Sequence, residues 1–215
     1  MIETIGRIVV ALVWLLVAGT SASGQEPPVP SGVDPGGTAV ALLGSGVDYT
    51  RPEVARRLAR DGEGELIGWD FTDNDNRPHA TSGGATGSGA ADDLIVSAPA
   101  ALRFVVVKEA ADDKVALGRM IAFAVQTPAR IIVWPGADPK RADWPILAEA
   151  VQRFPKHLFV IPAVQGAKGE KNLFVAPDGT PPGVAAITLA GQLAGLMASA
   201  PELGADEIRA KLTRK

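Results

Sequence analysis

The sequence predicts an α/β fold, a mostly parallel sheet with helices on both faces. Three observations carry this. From residue 38 onward, short β-branched and apolar runs alternate with segments of helical periodicity. The runs are continuously apolar rather than alternating, which is the pattern of strands covered on both faces. One long helical segment, 184–200, is almost wholly apolar and therefore belongs in the interior.

The elements follow in order. TAVALL (38–43) is a strand. PEVARRLARDG (52–62) is a helix with Pro52 in its first turn and Gly62 after its end, its Lys/Arg side chains forming a solvated face. LIGW (66–69) is a short strand, and 70–93 is a polar, glycine-rich loop or weak helix. RFVVVK (103–108), RIIVW (130–134) and HLFVIP (157–162) are strands. KVALGRMIAFAVQ (114–126) and WPILAEAVQRF (144–154) are helices, the second opened by Asp143. ADEIRAKL (205–212) is an amphipathic helix. Sites in such sheets form beyond the C-terminal strand ends, here Leu43–Ser45, Trp134–Gly136 and Ala163–Gly166.

Composition narrows the function. A chain of 215 residues, 47% hydrophobic and 21% charged, builds one domain with a real core. A net charge of −3 leaves no basic footprint for nucleic acid, and 5% aromatics provide no stacking platform. Without cysteine there are no disulfides, thiolate metal sites or Cys nucleophiles. Histidine chemistry has two candidates, His79 and His157.

The N-terminus points to export. IVVALVWLLVAG (8–19) follows Arg7 and precedes the small residues TSASG. This is the pattern of a signal peptide over 1–24, and the apolar run is shorter than the roughly 20 residues of a spanning helix. Cleavage near Ala22 to Gly24 leaves no stable membrane anchor and sends the protein to a bacterial periplasm or outside the cell. QEPPVPSGVDPGG (25–37) is a Pro/Gly-rich linker, and 38–215 is the folded domain.

Two segments carry a family pattern. VALLGSGVDYTRPEV (40–54) and GWDFTDNDNRP (68–78) resemble the subtilisin-like serine peptidases, whose active members carry V-A-(V/I)-(L/I)-D-S-G-V-D-Y-x-H-P-x-L and then G-W-D-F-x-x-N-D-N-x-P. SAPAALRFVVVK (97–108), ARIIVWPGADP (129–139), LFVIPAVQG (158–166) and GVAAITLAGQLAGLMASAPEL (183–203) agree with later family segments in order. The resemblance spans 38–215 and implies a shortened, three-layer subtilisin-like fold.

It also implies where catalytic groups would stand: a serine nucleophile, a histidine base, an aspartate that orients the base, and an oxyanion-holding asparagine. The aspartate position falls on Gly44, while Asp48 belongs to the S-G-V-D part of the motif. The histidine position falls on Gly84, or on His79 if His79-Ala80-Thr81 is slid onto H-G-T. The serine position falls on Gly183, or on Pro181 if Gly179-Thr180 is aligned, and no serine lies between Ser97 and Ser199. The oxyanion asparagine maps to Gln165. The resemblance thus implies a degenerate member, an inactive pseudoprotease that binds a peptide or protein partner. The alternative is a serine-type endopeptidase with displaced groups, His79 as base with Thr180 or Ser82.

Other segments offer less. Asp70, Asp73 and Asp75 in DFTDNDN have the oxygen donors of a calcium site, but Arg77-Pro78 stands where a calcium loop needs glycine. No other cofactor is expected. GGATGSGA (83–90) lacks the preceding strand and following Lys-Ser/Thr of a phosphate loop. His157 is expected at an exposed strand edge. Trp134 and Trp144 are expected to pack, and Gly191 and Gly195 to admit close packing of the apolar helix.

Overall fold

The computed structural model describes residues 26–80, 88–110, 116–138, 140, 144–164, 166–169, 171–178 and 181–213. The expected signal peptide lies outside these residues. Among the described residues the strands are β1 (Thr38–Gly44), β2 (Gly68–Asp70), β3 (Leu102–Lys108), β4 (Ile131–Val133), β5 (Leu158–Ile161) and β6 (Leu173–Val175). The helices are α1 (Pro52–Ala55), α2 (Ser88–Ser97), α3 (Ala116–Ala124), α4 (Trp144–Arg153), α5 (Pro182–Ser199) and α6 (Ala205–Leu212).

The six strands form one sheet in the order β2-β3-β1-β4-β5-β6, with every neighbouring pair parallel. Successive side chains of a strand point to opposite faces. In β1, Val40 and Leu42 therefore join the core under α1, α2, α5 and α6, while Ala39, Ala41 and Leu43 join the core under α3 and α4. Both faces are covered, which is why the strands read as continuous apolar runs. Register is fixed at the centre, where Val40 lies between Phe104 and Ile131, and Leu42 between Val106 and Val133.

Helix α5 carries the deepest packing. Ala186, Ala190 and Leu193 are fully buried, and a Cβ on Gly191 would stand 2.6 Å from the Pro99 ring, so only glycine lets the helix approach there. The helix is long and apolar enough to cross a membrane by length and composition. It is buried on one side only, with Val184 and Thr188 exposed. Its burial in the core accounts for its apolarity without a bilayer.

Several expectations need correction. The helix expected over 52–62 ends at Ala55. From Arg57 the chain becomes extended, because the Leu58 region pairs with β3: Phe104 N–H donates to Arg57 O and Ala59 N–H to Phe104 O, at 2.9 and 2.8 Å. Of the basic side chains here Arg56 is exposed as expected, but Arg57 and Arg60 are not part of a solvated face. Arg57 donates to the carbonyls of Ala98, Pro99 and Leu102, closing the end of α2, and Arg60 is 4% exposed. Strand β6 was not expected. Its three residues sit between Asn172 and Ala176, too few for a periodic signal.

The Pro/Gly-rich stretch has no regular structure over 26–37, yet it is tied down like a strap. Asp34 accepts the Arg60 N–H at 2.8 Å and pairs with Arg103, Pro30 O accepts from Arg60, and Pro27 O accepts from the Tyr49 hydroxyl at 2.9 Å. It differs in this from a free linker. At the other end of the chain Arg209, on α6, donates to Lys171 O at 2.6 Å and Leu173 O at 3.1 Å and lies 4.5 Å over the Phe174 ring. It thereby covers the outer side of β6.

Candidate functional site

The chain runs outward from β1 to β2 with β3 between them, then crosses to β4 on the far side of β1. Connections diverge between β1 and β4, so a crevice opens at their C-terminal ends. A cleft of about 380 Å³ lies there. Gly44, Ser45 and Gly46 supply one wall from the end of β1, and Trp134, Pro135 and Gly136 the facing wall after β4. Leu94 of α2, Gly183 of α5 and Glu109 after β3 complete it.

Two of the three positions singled out by the family pattern, Gly44 and Gly183, thus line one cleft although 139 residues separate them in the numbering. Their surroundings differ. A Cβ on Gly44 would meet nothing within 4 Å, whereas one on Gly183 would stand 3.0 Å from Leu94 Cδ1 and 3.6 Å from Pro135 Cβ. Leu94 therefore fills the space beside Gly183. Gly84 and Gln165 lie outside the described residues, as do Ser82 and Thr180. Gly46 holds φ +84°, and a Cβ there would press on Pro78 O at 2.8 Å, so glycine is required at that turn.

The N-terminus of α5 borders this region through Gly183. Pro181 and Pro182 have no N–H, and the helical ladder starts with Ala185 N–H donating to Pro181 O. Gly183 and Val184 therefore carry N–H groups with no intrahelical acceptor. Of the described side chains lining the cleft, Ser45, Glu109 and Trp134 have polar atoms, and Glu109 is the one with a charge. Trp134 is 3% exposed and packs as expected.

His79 does not line the cleft. It is buried, with Nε2 3.7 Å from Asp48 Oδ1 and its ring edge-on to Tyr49 at 4.9 Å between centroids. At 3.7 Å the contact with Asp48 is electrostatic rather than a hydrogen bond. Backbone pairing fixes it: Val47 N–H donates to Pro78 O and Ala80 N–H to Val47 O, each at 3.0 Å. Burial alone would raise the Asp48 carboxyl, but the Thr50 hydroxyl and amide and the nearby His79 hold it below its ordinary value. Burial pushes the Tyr49 phenol up to about 12, with Glu26 adding to the effect, so it stays a neutral donor.

Asp92 was not picked out from sequence. Its side chain is wholly buried, its Oδ1 accepts the Asp48 N–H at 2.8 Å, and its Oδ2 lies 3.4 Å from Arg51. The signal available was a carboxylate two residues before the apolar pair Leu94-Ile95, but nothing in the sequence named its partners.

The carboxylates considered for calcium divide. Asp70 is fully buried and its Oδ2 lies 2.6 Å from Lys108 Nζ, with Glu26 Oε1 at 3.5 Å and Asp73 Oδ2 at 3.9 Å from the same ammonium. Glu26, Asp70 and Asp73 bring ligand oxygens within 4.8 Å of one another. Asp75 instead uses its side chain to accept the Arg77 N–H and its backbone to pair with Asp70. The oxygen donors that converge thus include Glu26 rather than Asp75, and the Lys108 ammonium stands among them. Burial disfavours the charge on Lys108, but Asp70 and Glu26 outweigh it and raise its pKa. A divalent cation at this cluster would have to displace that ammonium.

His157 differs from the exposed edge residue expected. It is half-buried, stacks edge-on against Phe154, and its Nδ1 is buried without a hydrogen-bond partner. Burial, with Arg130 nearby, lowers its pKa. It lies at the N-terminal end of β5, away from the cleft.

Comparison with protein-family models finds no match, and no curated protein matches the sequence. Among solved structures the chain is similar to a cold-adapted subtilisin-like serine proteinase, at 14% identity and a TM-score of 0.47, covering 83% of this chain and 82% of that one. It is also similar to the PatG macrocyclase in complex with peptide, at 14% identity and a TM-score of 0.45 over 80% and 81% of the two chains.

Proposed function

We propose that this chain is an exported, subtilisin-like module that holds an extended peptide or protein segment in the cleft and does not hydrolyse it. The observation that carries the reading is that Gly44 and Gly183 line one cleft. In the resemblance read from the sequence these two residues stand at the aspartate and serine positions, and neither has a side chain. Ser45 is the described hydroxyl in that site, and no histidine is among the described residues lining it. A serine hydroxyl without a base is a weak nucleophile. The Gly183 N–H supplies a donor for a peptide carbonyl, and the leucines and Trp134 supply apolar contact.

One observation favours a second reading. Partly buried Asp48 lies 3.7 Å from the buried His79 imidazole, a carboxylate beside a ring that could serve as a base. A displaced nucleophile near it, Ser82 or Thr180, would make the chain a serine-type endopeptidase.

The test is incubation of the purified full-length chain with unfolded casein and with a serine-directed fluorophosphonate, alongside fluorescence-anisotropy titration of a labelled extended peptide. Saturable peptide binding with no cleavage and no labelling supports the binding module. Cleavage that tracks the protein and vanishes in His79→Ala establishes the hydrolase instead.

A further inference from the structure

The room inside the cleft is unevenly shared between its two glycines. Both line it, but beside Gly183 the side chain of Leu94 already stands 3.0 Å from where a Cβ would begin, with Pro135 at 3.6 Å. Above Gly44 a Cβ meets nothing within 4 Å among the described residues. The free space is therefore on the β1 side. Its floor is fixed, because Gly44 ends β1 in register with Lys108 of β3 and its carbonyl accepts the Glu109 N–H at 2.7 Å. Leu42, Leu94, Val106 and Trp134 line the cleft and are themselves buried in the core. Close packing holds such side chains in place, so the shape of the space is set before any ligand arrives.

Resting on the peptide-binding reading, we propose that the cleft has a side-chain subsite over Gly44 that takes a branched aliphatic side chain of leucine size, with Leu94 as the residue that limits what enters. Gly44 stands at the aspartate position of the resemblance read from the sequence, so the ligand's side chain uses room that the chain itself leaves open. A volume of about 380 Å³ lies at the low end for a ligand site and suits one medium side chain with its adjoining backbone. An aliphatic side chain gains by leaving water against these walls. Asparagine has nearly the same shape as leucine, but its amide would give up water for carbon.

The experiment is titration of the full-length chain with four capped tetrapeptides, identical except for alanine, leucine, asparagine or tryptophan at one position. The leucine peptide is expected to bind about tenfold more tightly than the alanine and asparagine peptides, and the tryptophan peptide more weakly than leucine. The preference should be the same in low and high salt, since no charge carries it. In Gly44→Leu, with its fold checked by Tm, the new side chain fills the subsite and the leucine peptide should fall to the affinity of the alanine peptide. In Leu94→Ala the room widens and the tryptophan peptide should match the leucine one. Equal binding of the leucine, alanine and asparagine peptides overturns the subsite while leaving the peptide cleft standing. A leucine preference that survives Gly44→Leu overturns its placement. A tryptophan peptide that binds the wild type best, or stays weak in Leu94→Ala, overturns the limit set by Leu94. Binding of none of the four removes the peptide-cleft reading and the subsite with it.

Discussion

Asp92 accepts the backbone N–H of Asp48 across 44 residues of sequence, joining α2 to the loop that follows β1. The bond fixes two walls of the cleft against each other, because Leu94 stands two residues after Asp92 and Gly44 four before Asp48. It also holds Asp48 beside His79. One buried carboxylate therefore supports both places where chemistry or binding is proposed.

Replacing Asp92 by Ala should cost about 2 kcal/mol, the scale of a buried charge-assisted bond whose partner is left unsatisfied. Denaturant unfolding measures it. Burial raises the Asp92 pKa against the opposing pull of the Asp48 amide and Arg51. The folded state therefore favours the proton, and this contribution to stability is full below the unfolded value of 3.8 and lost as pH rises through the folded value. Asp92→Asn should remove that component, leaving stability flatter between pH 4 and 7 than in the wild type. An unchanged pH profile would show that Asp92 does not titrate there.

The strap should release in acid. Burial tends to raise Asp34, but the amides of Arg60 and Gly36 and the Arg103 guanidinium bring it below its ordinary 3.8. Its contribution is present above that unfolded value and lost as pH falls through the folded one. Residues 26–37 should therefore become cleavable by pepsin as pH drops below about 3.8. Asp34→Asn should be cleaved in the same segment at higher pH, and equal cleavage of both proteins would contradict the anchoring role.

Lys108 and Asp70 form the most deeply buried ion pair described, with Asp70 fully buried. Lys108→Met keeps the stem and strands the carboxylate, at a cost of about 3 kcal/mol. The variant also opens the Glu26, Asp70 and Asp73 oxygens to a cation. Its Tm should rise with added calcium while the wild-type Tm stays put. A calcium-dependent rise in the wild type would mean that the ion displaces the ammonium.

The two cleft glycines should tolerate side chains unequally. Gly44→Asp projects into open space and should change stability by no more than about 0.5 kcal/mol. Gly183→Ser pushes on Leu94 at 3.0 Å and should cost about 1–3 kcal/mol as that side chain repacks. Neither change alone should produce casein cleavage, since no described histidine lines the cleft. Hydrolysis by Gly183→Ser would mean that a base from outside the described residues completes the site.

Much of the architecture was legible because buried parallel strands are apolar on both faces. TAVALL, RFVVVK and HLFVIP each became strands near the positions their composition named. The helix at 52–62 misled because its spacing fits either a helix or a bridging segment, and pairing of Leu58 with Phe104 decided in favour of the latter. The strap was read as a linker because prolines exclude regular structure, but they do not exclude ion pairs, and Asp34 supplied one to Arg103. The cleft itself was foreseeable at Gly44 and Trp134, which end adjacent strands. Glu109 and Asp92 were not, since their roles depend on neighbours brought from distant sequence.

Arg209 has a consequence for how these molecules meet one another. An outermost strand is a template on which a second chain can add by backbone pairing, the first step toward fibres. On β6 the carbonyl of Leu173 is already engaged by the guanidinium, which also lies over Phe174. At the opposite border β2 is three residues long and its Asp70 backbone is closed on Asp75. Removing Arg209 would leave the Leu173 carbonyl on β6 open to backbone pairing by a second chain.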